Sequence, residues 1–461
     1  MQRIHRRKSF WTTLGVAALA TTLAACSGAG SPSDTASPGA GGTDGGDGGG
    51  SLNILMVGNP QMTDLEGLAP DFEEESGIDL NITILPENEL RDRVAQDVST
   101  GAGQYDVVTI GAYEGSVWTA NDWLHNLQDM AEQDEDFDVD DLMPAMKGVL
   151  SKDDDLYAIP FYGESAFTMY RKDIFDEHGL TMPDEPTWED IEQLAAQIKE
   201  AEPEMTPVCM RGLPGWGENM AVVGSMLNAF GGGFFNADWE NMINSPETTE
   251  AVQFYVDLVK NYGEEGATNA GFTECLNIFS QGEAAMWFDA TSAANSVESP
   301  TSSTVVGKVG YADAPRQEAR SGWVWAWAWG VPKTTKNLDA AWEFISWASG
   351  KEYEQKVGEE LGWTRVPDGK RLSTFEIPEY QEATEAYRDK MLAAIEQSDP
   401  NDCGTYPRPA PGCQYLAIPE FADLGTRMGQ EVSAALAGQK SVEDALQASY
   451  EYGETAAERH R

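Results

Sequence analysis

The stretch from Leu52 to Gly111, LNILMVGNPQMTDLEGLAPDFEEESGIDLNITILPENELRDRVAQDVSTGAGQYDVVTIG, decides the fold. Leu52 to Val57 is a short apolar run closed by Gly58-Asn59-Pro60, which reads as a buried strand and a turn. Thr63-Asp64-Leu65-Glu66 has the spacing of a capping box and opens a helix toward Ser76-Gly77. Ile78 to Leu85 alternates as a strand does. Leu90, Val94 and Val98 mark one face of a second helix, and Tyr105 to Ile110 is a third strand ending at Gly111. This β-α-β-α-β order predicts parallel strands with helices on both faces. In such sheets ligands bind at the carboxyl ends of the strands, so a site is expected in the loops Asn59 to Met62, Pro86 to Glu89 and Gly111 to Glu114.

Outward from this unit, helical patterns cover Trp188 to Glu200, Thr248 to Tyr262, Leu338 to Ser349, Glu379 to Gln397 and Ser441 to Tyr452. Extended segments lie at Leu156 to Pro160, Ala284 to Phe288 and Trp323 to Val331, and no repeat is present. A length of 461 residues predicts two or three domain-sized units. Lys+Arg number 30 against 77 Asp+Glu, a formal charge of −47. Such a surface repels phosphate backbones and anionic headgroups, so nucleic-acid and peripheral-membrane roles are poor readings.

The first 25 residues carry Arg3, Arg6, Arg7 and Lys8, followed by an apolar run from Phe10 to Ala25, and read as an export signal. They end in Leu23-Ala24-Ala25-Cys26, which looks like a lipobox, with Cys26 the residue to be lipidated and the outer face of the cell membrane the expected location. Cleavage there removes four basic side chains and no acidic ones, leaving 26 against 77, a mature charge of −51. Residues 26–51 are nearly all small or polar, cannot bury apolar area, and read as a tether. Four cysteines remain: Cys209, Cys275, Cys403 and Cys413. In an oxidising compartment they imply two disulfides, for which three connectivities can be drawn. Cys403 and Cys413 flank a short Gly/Pro-rich loop, which favours 403–413 with 209–275.

Catalytic signatures are scarce. Only His125 could join a triad or a zinc site, and no HExxH or Gly-x-Ser-x-Gly pattern occurs, so no metal or cofactor is expected. Asp134, Asp136, Asp138 and Asp140 resemble a calcium loop, but Val139 and Ala145 stand where it needs Gly and Glu, so the stretch reads as a solvated acidic loop. The informative clusters set aromatics beside polar groups: Tyr162-Gly163-Glu164, Arg211 with Gly215-Trp216-Gly217-Glu218-Asn219, Trp287-Phe288-Asp289, and the row Trp323, Trp325, Trp327, Trp329. Sugar hydroxyls donate to carboxylates and accept from Arg or Asn while CH faces lie on rings. Six residue steps at about 3.3 Å make the Trp row roughly 20 Å long, more than a monosaccharide covers. Trp323 and Trp325 are therefore expected at the cleft and Trp329 in the core.

At these residues the sequence resembles the family 1 extracellular solute-binding proteins of ABC importers, and within them the sorbitol/mannitol-binding group. The matching stretches include Gly103-Gln104-Tyr105-Asp106-Val107, Tyr157 to Ser165, Met169-Tyr170-Arg171-Lys172-Asp173, Gly215 to Met220, Met286-Trp287 with Asp289-Ala290-Thr291, Trp325-Ala326-Trp327 and Ile418-Pro419-Glu420-Phe421. The resemblance runs in order from about Leu52 to Tyr452. It implies an α/β, periplasmic-binding-protein-like (type II) two-lobe fold, each lobe a mainly parallel sheet flanked by helices, with hinge crossovers between them. Lobe 1 would comprise 52–160 plus about 329–372, and lobe 2 161–328 plus about 373–461. The cleft residues it implies are Asn59, Glu87, Asn88 and Tyr113 from the first lobe, Tyr162 and Glu164 at the crossover, and Arg211, Trp216, Asn219, Asp289, Trp323 and Trp325 from the second. The implied protein is a lipid-anchored monomer and not an enzyme. It holds a small polyol by hinge closure, with Asp289 and Glu164 accepting from hydroxyls, and hands it to ABC permease subunits. A mono- or oligosaccharide is the alternative ligand, and a secreted carbohydrate-active enzyme using Glu164 and Asp289 is the rival from another class.

Overall fold

The computed structural model describes residues 50–461, so the export signal, Cys26 and nearly all of the tether lie outside the described residues. Strand β1 (Ser51–Val57), helix α1 (Pro60–Ser76), β2 (Asp79–Leu85), α2 (Glu87–Thr100), β3 (Val107–Gly111) and α3 (Ala112–Ala120) follow the β-α-β-α-β reading. β1 pairs in parallel with both β2 and β3. Helix α1 starts at Pro60 rather than at the Thr63 capping box, because proline at the first helical position is already set to helical φ. Asn59 becomes the N-cap and Thr63 Oγ1 donates back to its carbonyl from inside the helix.

A small hairpin, β4 (Ser151–Lys152) and β5 (Asp155–Leu156), precedes β6 (Ala158–Glu164), β7 (Ala166–Arg171), β8 (Thr206–Cys209), β9 (Ala284–Ala290), β10 (Val309–Asp313) and β11 (Trp325–Gly330). These build two sheets, ordered β2-β1-β3-β11-β6 and β10-β7-β9-β8, one in each lobe of an α/β, periplasmic-binding-protein-like fold. Pairing is parallel within β1–β3 and between β8 and β9, whereas β11 lies antiparallel to β3 and β6. The cause is directional: β6 leads the chain out of the first lobe and β11 brings it back. In the second sheet, β7 likewise runs antiparallel to β9 and β10.

The chain leaves the first sheet at Ser165 and re-enters it at Trp325, so the expected boundaries at 160/161 and 328/329 fall inside strands. A third passage, Val366 to Arg371, is buried throughout. Val366 accepts from Asn295 of the second lobe, while Lys370 pairs with Glu354 and Arg371 donates to Ser349 O on helices of the first. The helical pattern from Glu379 to Gln397 is split into Pro378–Ala383 and Arg388–Glu396. Tyr387, in the break, turns inward against Tyr311 and donates to Asn295.

Trp329 packs on Phe161 and Phe344 in the first core, and Trp188 and Trp287 are fully buried in the second. Both expected disulfides are present, Cys209–Cys275 and Cys403–Cys413, with Cα separations of 5.8 and 5.2 Å. The acidic run near Asp134 is structural: Asp134 accepts from Trp342 Nε1 and Ser346 Oγ, and Asp138 pairs with Lys351.

Candidate binding cavity

The carboxyl ends of β1, β2 and β3 run almost directly into helices, which places Asn59, Glu87 and Glu114 in or beside first helical turns at the lobe boundary. β11 pairs Trp325 with Glu164 and Trp327 with Tyr162, so these four side chains share one face at the cleft end of the first sheet. A cavity lies against that face and is closed by Arg211, Trp216, Phe272 and Ser292 from the second lobe. Two glycines make the fit possible: a Cβ on Gly111 would lie 1.8 Å from the Trp325 ring, and one on Gly217 would lie 1.9 Å from Glu87 Oε1.

Each side of the cavity carries one buried arginine. Arg91, one turn along α2 from Glu87, donates to Glu87 Oε1 from Nε (3.0 Å) and Nη2 (2.8 Å) and to Glu114 from Nη1. Glu114 is held in turn by the backbone N–H of Gly111 at 2.9 Å. The Arg91 guanidinium lies 3.9 Å from the Trp216 ring centroid, 4.8 Å from Trp327 and 5.2 Å from Trp325. Opposite, Arg211 forms a two-pronged pair with Asp289 (Nε to Oδ2 2.9 Å, Nη2 to Oδ1 2.5 Å) and donates to Gly217 O at 2.9 Å. Burial works against the Arg211 charge, but Asp289 outweighs it and raises the pKa above its ordinary value.

Eight of the sequence-expected residues line the cavity: Asn59, Glu87, Tyr162, Glu164, Arg211, Trp216, Trp323 and Trp325. Asn59 donates to the Tyr162 hydroxyl at 2.7 Å, and Glu164 accepts from Ser292 Oγ at 2.5 Å. The other four sit elsewhere. Asp289 is fully buried behind Arg211, where it also accepts from Trp287 Nε1 (3.1 Å) and Ala290 N (2.6 Å), so it holds the guanidinium and does not line the cavity. Asn219 shapes the Trp216 loop, donating to Gly429 O and accepting from Gly215 N. Asn88 and Tyr113 reach across to the second lobe: Asn88 Nδ2 donates to Pro214 O at 3.2 Å, and the Tyr113 hydroxyl donates to Ile418 O (3.2 Å) and accepts from Ala422 N (3.1 Å).

The sequence reading missed Arg91, Gly217, Ala221, Phe272, Ala290, Ser292, Trp327 and Gln414 as lining residues. Arg91 had a visible signal, its i,i+4 spacing from Glu87. Trp327, not among the two tryptophans expected at the cleft, comes to the cavity with its ring against Arg91. Gln414 had none; it reaches the cavity because the Cys403–Cys413 loop is held to the second lobe, where Cys413 O accepts from Asn228 Nδ2.

Residues 59–355 match the family described as bacterial extracellular solute-binding protein, well over half of the chain. This chain belongs to that family. As an extracellular solute-binding protein it shares 38% identity over 402 residues with the mannitol-binding protein of Pseudomonas aeruginosa, covering 87% of this chain and 91% of the relative. An ABC transporter solute-binding protein from Agrobacterium vitis S4, solved with bound D-mannitol, superimposes with a TM-score of 0.87 at 42% identity, covering 89% of this chain and 99% of that one. A protein from Agrobacterium radiobacter K84 in complex with ribitol matches in fold, with a TM-score of 0.78 at 24% identity over 88% and 99% of the two chains. The family binds solutes and is not one of enzymes, which removes the two-carboxylate hydrolase reading.

Two predictions arise from this geometry. Tyr113→Phe removes one interlobe donor and leaves Ala422 N without its acceptor; at about 0.5–1.5 kcal/mol per hydrogen bond, solute affinity should fall roughly two- to tenfold through weaker closure. Unchanged affinity in a calorimetric titration would contradict a latching role. The second concerns pH. Burial pushes Glu164 up to about 8, burial and then Glu87 push Glu218 up to about 8, and burial pushes Glu264 up to about 7 and Asp368 up to about 6. These carboxyls bind protons more tightly folded than unfolded, so their contribution is lost as pH rises from about 4.5 through those values. His125, lowered by burial and Lys333, and Lys370, lowered by burial, act in the opposite sense but are two groups against four. The melting temperature of the solute-free protein should therefore fall between pH 5 and pH 8, and a rising one would contradict this assignment.

Proposed function

We propose that this protein captures a sugar alcohol of hexitol size in the cavity between its lobes and delivers it to ABC permease subunits. The observation that carries the reading is the cavity lining. Glu87, Glu164, Asn59 and Arg211 supply acceptors and donors for hydroxyls, and Trp216, Trp323, Trp325 and Trp327 supply faces for CH groups. The mannitol-bound relative at 42% identity supports the same solute class. Asp289 serves through Arg211, and the lobes close by bending at Ser165, before Trp325 and along Val366 to Arg371, with Asn88 and Tyr113 latching the closed form. The lobes are 52–160 plus about 329–372, and 161–328 plus about 373–461, give or take the strands that straddle those limits. The export signal, lipid on Cys26 and the 26–51 tether would keep this monomer at the outer face of the cell membrane. In a calorimetric titration of the mature protein, D-mannitol should bind with micromolar affinity or better, about −8 kcal/mol. Heat from an oligosaccharide and none from any hexitol would overturn the reading.

A further inference from the structure

The charge around the cavity is lopsided in a way that a neutral polyol does not use. Glu87, Glu114, Glu164, Glu218 and Asp289 converge on only two cations, Arg91 and Arg211. Both arginines are already engaged. Arg91 is held by Glu87 and Glu114 beneath three tryptophan rings, and Arg211 has its fork on Asp289 and its remaining terminal nitrogen on Gly217 O. Neither presents a free fork to an anion.

The carboxylates that line the cavity are only half engaged. Glu87 accepts from Arg91 through Oε1 alone, and Glu164 accepts from Ser292 through Oε2 alone. Glu87 Oε2 and Glu164 Oε1 therefore have no protein donor, and above about pH 8, where Glu164 is ionised, their negative charges repel one another. Tryptophan faces complete the walls, and a ring face attracts a cation as a carboxylate does. An ammonium placed here would donate to both free oxygens, relieve the repulsion between them and lie against aromatic faces. A carboxylate placed here would meet two carboxylates and no available guanidinium.

Resting on the reading of this cavity as a polyol site, we infer that its solute class extends to hexitols in which one terminal hydroxyl is replaced by a protonated amine, and excludes the corresponding sugar acids. The ammonium donates to Glu164 Oε1 and Glu87 Oε2, and no bond is made or broken.

The test is a calorimetric titration at pH 8.5, where Glu164 is ionised, with D-mannitol, 1-amino-1-deoxy-D-mannitol and D-mannonate. The two ends of D-mannitol are equivalent, so the three ligands differ in terminal charge on one carbon skeleton. The amine should bind at least as tightly as D-mannitol, and the acid at least tenfold more weakly. An amine that binds less tightly than D-mannitol, or an acid that matches it, would overturn this inference and leave the polyol reading standing. No binding of D-mannitol would overturn the polyol reading and this inference with it. Glu164→Gln should cut the ratio of amine to D-mannitol affinity at least fivefold; an unchanged ratio would overturn the assignment of the amine to Glu164.

Discussion

Asp289→Ala should cost about 3–5 kcal/mol of folding stability and abolish tight solute binding, because it leaves the buried Arg211 guanidinium without its counter-charge. The same carboxylate accepts from Trp287 Nε1 and Ala290 N, so the substitution orphans three buried donor groups at once. Arg211 then no longer has a fixed direction, and the Trp216 loop loses its anchor, since Arg211 holds that loop through Gly217 O. Denaturant unfolding followed by tryptophan fluorescence measures the first effect and calorimetry the second. A variant as stable as the parent would mean that the Arg211–Asp289 pair does not hold the site together.

Replacing Cys209 and Cys275 together by Ser should cost about 4 kcal/mol, the loop-closure term for a sequence separation of 66 residues. The loss extends to the cavity. Cys209 ends β8 two residues before Arg211, and Cys275 lies on the helix Phe272–Ser280, whose first residue lines the cavity and donates its N–H to Glu218. Without the cross-link, the Arg211 segment and the Phe272 helix keep only packing and the bonds from Gly212 N and Leu213 N to Ala270 O and from Phe272 N to Glu218, so affinity should fall along with stability. Comparing oxidised parent and double variant by denaturant midpoint and titration checks both; a midpoint shift of less than 1 kcal/mol would contradict this role. The Cys403–Cys413 loop closes only 10 residues, and the same term makes it the smaller contributor, about 3 kcal/mol.

What the sequence revealed depended on how local the determining contact is. The first three strands and two helices were legible because their periodicity is written within each segment, and the strand-end loops followed from the order of elements. Asn59 and Glu87 could be placed at the cavity because each follows such a strand, whereas Glu164 was placed by its neighbouring aromatics and by the resemblance. Asp289 was legible as important but not in its role: only the second-lobe packing shows that it is sealed behind Arg211. Tyr113 finds its partners 305 and 309 residues away, a distance across which no pattern carries information. Arg91 was overlooked although its spacing from Glu87 was visible, because its second carboxylate is on another helix and its three tryptophans come from both lobes. The start of α1 shows a local signal losing to a stronger one, with Pro60 preceding the capping box.

The acidity that stands out in composition also gains a location. Most acidic side chains among the described residues are exposed or half-buried, but Glu87 and Glu164 line the cavity, and Glu218 and Asp289 stand behind it on Arg211.

In the proposed function the solute lies between the lobes, bounded by Glu87, Glu164, Arg211, Trp216 and Trp325. A crystal structure of the mature protein grown with D-mannitol tests it most directly. Density for one hexitol is expected in that cavity, with hydroxyls within hydrogen-bonding distance of Glu87 and Glu164 and carbons against the tryptophan rings. D-mannitol bound outside the cavity, or a cavity left empty in a closed protein at saturating D-mannitol, would contradict it.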